Sequence, residues 1–313
     1  MAKRRKNVAN NRKKPQGKRP LITLLIVTVL IVAAFFLLEK LKRSVPPPVP
    51  ERPVTVERHK MPVRKGGVAI EQKPYTSAKA PLPPVHPPKR AAGPGTVAII
   101  VDDMGSSIRE VNELMAIRLP LTFSIIPGLS KVKGVAQAAH AGGYQMMIHI
   151  PMEPRGYPRQ RMEQSGLLLA QSDGEIRKRL NGFLQAVPYA KGANNHMGSR
   201  FTEERAKMET VLGFLKGKGL FFIDSRTTPR SVGNSLAREM GLETASRNVF
   251  IDNVQDVGAI REQLEQLAAM ARRKGGAIGI CHPHKTTIQA LSAAMPELKR
   301  SGITFVYAAD LVR

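Results

Sequence analysis

The sequence predicts an α/β protein built on a mainly parallel sheet, open or closed into a barrel, and three observations carry that prediction. From residue 96 onward, short apolar runs alternate with longer amphipathic stretches, the rhythm of strand–helix units whose strands lie parallel. The apolar runs show little polar alternation, as strands covered on both faces require. Several of the amphipathic stretches end in glycine, the usual helix stop.

Taken in order, the strand candidates are "TVAIIV" (96–101), "LTFSII" (121–126), "YQMMIHI" (144–150), "GLFFID" (219–224), "NVFID" (248–252), "GAIGIC" (276–281) and "ITFVYA" (303–308). The helical stretches between them are "SIREVNELMAI" (107–117), "KVKGVAQAAHAGG" (131–143), "DGEIRKRLNGFLQAVP" (173–188), "TEERAKMETVLGFLKGKG" (202–219) and "VGAIREQLEQLAAMARRKGG" (257–276).

Parallel α/β sheets gather their functional groups at the C-terminal ends of the strands. Asp102 and Asp103 follow the first run, His149 lies at the end of the third, Asp224 ends "FFID", Asp252 ends "VFID" and His282 follows "AIGIC". The stretch "GANNHMGSR" (192–200) adds His196 between Gly192 and Gly198. One buried His or Asp is ordinarily a satisfied structural residue, but this many at corresponding strand ends read as a site. Carboxylate plus neutral imidazole is a ligand set for zinc or a similar divalent ion. A hydrolytic site of that kind needs about three protein ligands, an open position for water, a base and an acid. Two consecutive aspartates can divide such labour, one toward the metal and one toward the water.

Ahead of this region the composition changes. The net charge is +25, yet residues 1–95 hold 21 of the 49 basic residues and only 4 of the 24 acidic ones. A nucleic-acid role needs a basic face on the folded part, and the excess lies elsewhere. Residues 1–20 form a basic leader with nine Lys and Arg, and residues 21–38, "LITLLIVTVLIVAAFFLL", are uncharged and about as long as a bilayer core is thick. No small-residue cleavage site follows, so an uncleaved signal anchor is preferred to a signal peptide. The basic leader places the N-terminus in the cytoplasm. The expectation is a single-pass inner-membrane protein whose remaining chain lies on the periplasmic or extracytoplasmic side. Residues 39–95 are proline-rich and read as a disordered linker, a spacer or a docking segment for an envelope protein partner. Cys281 is the single cysteine, so no internal disulfide forms, and it reads as a packed strand residue. Residues 96–313 form the expected catalytic domain.

The motifs "AIIVDDMG", "MIHIPMEP", "NNHMGSR", "FFIDSRT" and "IGICHPH", in that order and spacing, resemble the divergent polysaccharide deacetylase family, distant relatives of NodB-type deacetylases. The resemblance covers nearly all of residues 96–313. It implies a distorted (β/α) barrel of the NodB/glycoside hydrolase-deacetylase type and metal-dependent N- or O-deacetylation of a carbohydrate. Peptidoglycan or another N-acetylated envelope glycan is the implied substrate, and one divalent ion, zinc foremost, the implied cofactor. Carried onto this chain, the family pattern makes Asp102 the base, Asp103 and His149 metal ligands and His282 the general acid. NodB-type enzymes carry a His-x-x-x-His pair, and here Glu153 stands at its second position. The third ligand is therefore His196, the preferred choice, or Glu153, which otherwise serves as a substrate contact. Asp224 is expected to orient His282 or another site group, and Arg200 and Arg226 to hold an anionic or acetyl oxygen. His284, after Pro283, reads as a surface group. Two other functions stay open: a catalytically degenerate glycan-binding or scaffolding module, and an amide or phosphoester hydrolase using the same ligands.

Overall fold

A computed structural model describes residues 94–313, in which nine strands join in one sheet with every pairing parallel. In chain order the elements are β1 (Gly95–Met104), α1 (Ile108–Met115), β2 (Thr122–Ile125), α2 (Val132–Ala141), β3 (Gln145–Met152), α3 (Asp173–Ala186), β4 (Gly192–Met197), α4 (Arg205–Gly217), β5 (Phe221–Asp224), α5 (Gly233–Glu239), β6 (Thr244–Ser246), β7 (Val249–Phe250), α6 (Val257–Lys274), β8 (Gly276–Cys281), α7 (Lys285–Arg300) and β9 (Ile303–Val306). The expected leader 1–20, membrane anchor 21–38 and all but the end of the linker 39–95 lie outside the described residues. Among the described residues no helix is long and apolar enough to cross a membrane.

The strands run β6–β5–β4–β3–β2–β1–β8–β7, with β9 added beside β1. The central strand, β1, pairs with β8 over Thr96–Val101. Its N-terminal half also pairs with β9, and the stretch from Ile100 onward with β2. Its side chains alternate between two cores, as strand geometry dictates. Val97, Ile99 and Val101 belong to the large outer cluster under the helices. Ala98 and Ile100 point to a small inner cluster with Met147, Phe221, Ile223, Ile278, Ile280 and Ala308. Burial on both faces explains why the strand sequences carry so little polar alternation.

The sheet is a curled half-barrel. Its end strands β6 and β7 share no ladder, and only residues 247 and 248 connect them. Strands of three and two residues joined by so short a link leave no room for a crossover helix. Arg313 pairs with β6 at this edge, exchanging backbone hydrogen bonds with Thr244 at 3.1 and 3.2 Å.

Four elements go beyond the sequence reading: β4, α5, β6 and α7. Strand β4, "GANNHM", has no apolar run, and its pairing with β3 and β5 makes it a strand. Helix α7 contains Pro296, a residue that ordinarily argues against a helix interior, yet it buries Ile288, Leu291, Met295 and Leu298 in the outer core. Beyond β4 the chain turns sharply at Gly198, with φ +81° and a would-be Cβ 2.9 Å from the Met152 Cβ. Gly198→Ala should therefore destabilise the domain by about 1–3 kcal/mol, read as a lowered urea midpoint with unchanged slope.

Candidate metal centre and active site

The inward series that builds the inner core turns polar toward the C-terminal ends of the strands. After Ala98 and Ile100 comes Asp102, after Met147 comes His149, and Asn194 lies beside His149 in the β3–β4 register. All three are buried.

In a regular strand Asp102 and Asp103 would face opposite sides. Between Val101 and Met104, however, β1 advances three residues while β2 advances two, from Phe123 to Ile125. This extra residue is a bulge, and Asp103 takes the left-handed conformation with φ 57°, which aspartate tolerates better than most residues. The result is that both carboxylates reach one imidazole: Asp102 Oδ2 and Asp103 Oδ1 lie 3.5 and 3.3 Å from His149 Nε2. Met197 (φ 51°) and Arg226 (φ 51°), just beyond or at the ends of β4 and β5, share this unusual backbone. Of the four non-glycine residues with positive φ among the described residues, only Arg118, ahead of β2, lies away from this rim, and such strained backbone often marks functional sites.

Asn194 organises the buried layer. Its Nδ2 donates to Asp102 Oδ1 at 2.8 Å, and its Oδ1 accepts from the Ser124 hydroxyl. That same oxygen lies 2.8 Å from His149 Nδ1, so Nδ1 carries a proton and Nε2 is the nitrogen presented to the centre. His196 brings Nδ1 to 2.9 Å from Asp103 Oδ1 and 3.2 Å from His149 Nε2.

Asp103 Oδ1, His149 Nε2 and His196 Nδ1 thus form a triangle with sides of 2.9, 3.2 and 3.3 Å. Ligand atoms about 2.0–2.1 Å from one tetrahedral zinc lie ~3.3–3.4 Å apart, so the three fit one small divalent ion. Asp103 Oδ1 is buried and accepts no hydrogen bond, as suits an oxygen facing a cation. Burial pushes the Asp103 pKa up, but the His149 and His196 rings outweigh it and hold the carboxyl well below the usual range. For His149 burial lowers the pKa, and the two aspartates and Asn194 reverse this and raise it to about 9.

His282 approaches from β8, with Nε2 3.9 Å from Asp103 Oδ2. Its Nδ1 lies 3.0 Å from Asp252 Oδ1, and its backbone N–H donates to Asp252 Oδ2 at 2.7 Å. Thr287 also donates to that oxygen at 2.9 Å. Asp252, His282 and His284 also cluster closely, but the Asp252 oxygens are committed to these contacts and His284 is exposed at the start of α7.

Several expected roles change. Asp224 does not orient His282: it sits on the other side of the sheet, accepting from Arg226 N, the Ser231 hydroxyl and Asn234 N at the start of α5. Asp252 holds His282 instead. Glu153 has both oxygens occupied, one by Arg200 Nη1 at 2.7 Å and one by Leu169 N at 2.8 Å, which leaves none for a metal. Arg200 is thereby engaged, and Arg226 is exposed on the rim. Cys281 is buried with its thiol pKa pushed up by burial, the reverse of a nucleophile's environment. Asn194 and Asp252 carry the second layer of the site. Asp252 carried a signal in the sequence, as the residue that closes "NVFID", whereas Asn194, inside a strand without an apolar run, carried none.

A family model described as divergent polysaccharide deacetylase matches residues 99–312. An uncharacterized protein of Escherichia coli K12, YibQ, is 33% identical over 218 residues, covering 70% of this chain and 67% of its own length. An uncharacterized protein of Haemophilus influenzae is 33% identical over 202 residues, covering 64% of this chain and 71% of its own. The crystal structure of an uncharacterized Agrobacterium tumefaciens protein superposes with a TM-score of 0.67 at 27% identity, covering 72% of this chain and 92% of that one.

Proposed function

The chain belongs to the divergent polysaccharide deacetylase family, and from that premise we propose that it hydrolyses acetyl groups from an N-acetylated glycan of the cell envelope. The observation that carries this reading is the convergence of Asp103, His149 and His196, with Asp102 buried below and His282 opposite. A divalent ion such as zinc, held by those three residues, would polarise the acetyl carbonyl and lower the pKa of an attacking water.

The chain's own groups supply the proton traffic. Burial raises the Asp102 pKa, with His149, His282 and Asn194 drawing it back. A carboxylate made more basic in this way suits the removal of the water's proton. Burial alone would lower the His282 pKa, and Asp252 together with the two site aspartates raises it. An imidazolium stabilised there can protonate the departing sugar nitrogen or oxygen. Arg226, exposed on the rim, is positioned to meet a polar group of the glycan. In this reading residues 21–38 anchor the chain in the inner membrane, with the domain on the outer side and the linker free to meet an envelope protein.

The direct test is acetate release from N-acetylated oligosaccharides by the full chain, with zinc and after chelation. Activity that disappears with chelation and returns with zinc is expected. A zinc-loaded chain that releases no acetate from any such glycan would overturn the reading. Metal loading should also depend on pH. Below about 9, His149 holds the proton that the ion must displace. Zinc affinity should therefore rise by up to about tenfold per pH unit between neutrality and pH 9. Calorimetry at pH 7 in buffers of different ionisation enthalpy should show about one proton released on binding.

A further inference from the structure

Residues 153–167 form a loop that leaves and rejoins the end of β3. Met152 bridges Leu167, Glu153 N donates to the Leu167 carbonyl at 2.9 Å, and Leu167 N donates to the Pro151 carbonyl at 2.8 Å. Between these pinned ends the backbone turns on itself through Tyr157 N to Pro154 O and Gly166 N to Glu163 O, at 3.1 and 2.9 Å. Compact loops of this Ω type are frequently functional. Arg179 on α3 grips it from outside, donating to the Gln164 and Gly166 carbonyls at 3.0 and 3.2 Å.

One side chain of the loop turns inward. Glu163 Oε2 is shielded from solvent and has no hydrogen-bond partner, an unfavourable state for a carboxylate oxygen. It lies 3.7 Å from His196 Nε2. The other ring nitrogen of His196, Nδ1, is the one that faces Asp103 and His149. An imidazole bound to a cation through Nδ1 carries its remaining proton on Nε2, where a carboxylate can accept it and hold the ring.

We propose that Glu163 is a positioning residue for His196, which accepts the Nε2–H once a divalent ion occupies the centre and so fastens the 153–167 loop across the site. This rests on the reading of Asp103, His149 and His196 as a metal centre. The proposal explains why a buried carboxylate oxygen is left without a partner beside a ring whose opposite nitrogen is a ligand atom. It also makes metal loading and loop order two readings of one event.

The test uses the full chain and zinc alone, titrated against a chromophoric chelator, with Glu163→Ala and Glu163→Gln beside the wild type. Glu163→Ala should weaken zinc binding by about tenfold or more, and Glu163→Gln, whose amide oxygen can still accept, should recover part of the loss. Arg159 and Arg161 are exposed on the loop, so tryptic cleavage there reports its order. Zinc should slow that cleavage in the wild type and not in Glu163→Ala, while the melting temperature of the metal-free chains stays the same. Equal zinc affinity and equal zinc protection in wild type and Glu163→Ala would overturn the proposal. So would a drop in metal-free melting temperature with no recovery by Glu163→Gln, which would make the residue merely structural. A wild-type chain that binds no zinc would overturn the metal centre itself, an outcome distinct from a chain that binds it without regard to Glu163.

Discussion

Asp103→Asn is expected to weaken zinc binding by more than about 100-fold, beyond the range typical for residues that only support a ligand. Acetate release at limiting zinc should fall by about 1,000-fold, since the ion supplies several kcal/mol of transition-state stabilisation and each tenfold is about 1.4 kcal/mol. Asparagine is the informative replacement because Asp103 has φ 57°. Asn enters that region readily, whereas alanine would add roughly 1–2 kcal/mol of backbone strain and mix a folding defect with a binding one. Because the His149 and His196 rings hold the Asp103 carboxyl well below the usual range, the metal-free variant should unfold at a lower temperature than the wild type near neutral pH, and added zinc should stabilise only the wild type. Undiminished zinc binding by Asp103→Asn would remove Asp103 from the centre.

The second large effect concerns His282 and Asp252. His282→Ala should reduce turnover by about 100- to 10,000-fold, the usual contribution of a general acid, while zinc affinity stays close to wild type. Asp252→Asn should act through pH. In the wild type, burial disfavours the charged ring and Asp252 foremost among its neighbours overrides that. With the carboxylate neutralised, burial remains and the ring gives up its proton at lower pH. With His282 as the proposed general acid, the reaction requires its protonated form, so the alkaline limb of the rate profile should move to lower pH. The variant should thus lose more activity at pH 8 than at pH 6. A profile that falls uniformly would mean that Asp252 only supports the fold.

Much of this site follows from strand ends. Asp102, His149 and His282 each terminate or follow an apolar run, and a parallel sheet brings such ends to one rim. What the linear pattern could not carry was which way each residue points. Asp224 and Asp252 look alike in sequence, each closing a run that ends in Ile-Asp. Yet Asp224 faces the α5 start, and Asp252 faces His282. Asp103 reaches the centre through a bulge, which depends on the register with β2, Val101 opposite Phe123 and Met104 opposite Ile125, and so on partners in the next strand of the chain. Strand β4 lacks any apolar signature, and its Asn194 becomes an organising residue only once β3 lies alongside. Glu163 belongs to a loop, where periodicity says nothing.

The parallel course of β1 also has a consequence for how the molecule reaches its target. The described chain begins at the foot of β1, while Asp102 and Asp103 sit at its head. At about 3.3 Å per residue the two ends are roughly 23 Å apart. Residue 94 therefore enters at the foot of β1, and the rim that carries Asp102 and Asp103 lies at the strand's other end. On the proposed reading of residues 21–38 as an anchor, lengthening or shortening residues 39–93 should change which part of an envelope glycan the site reaches.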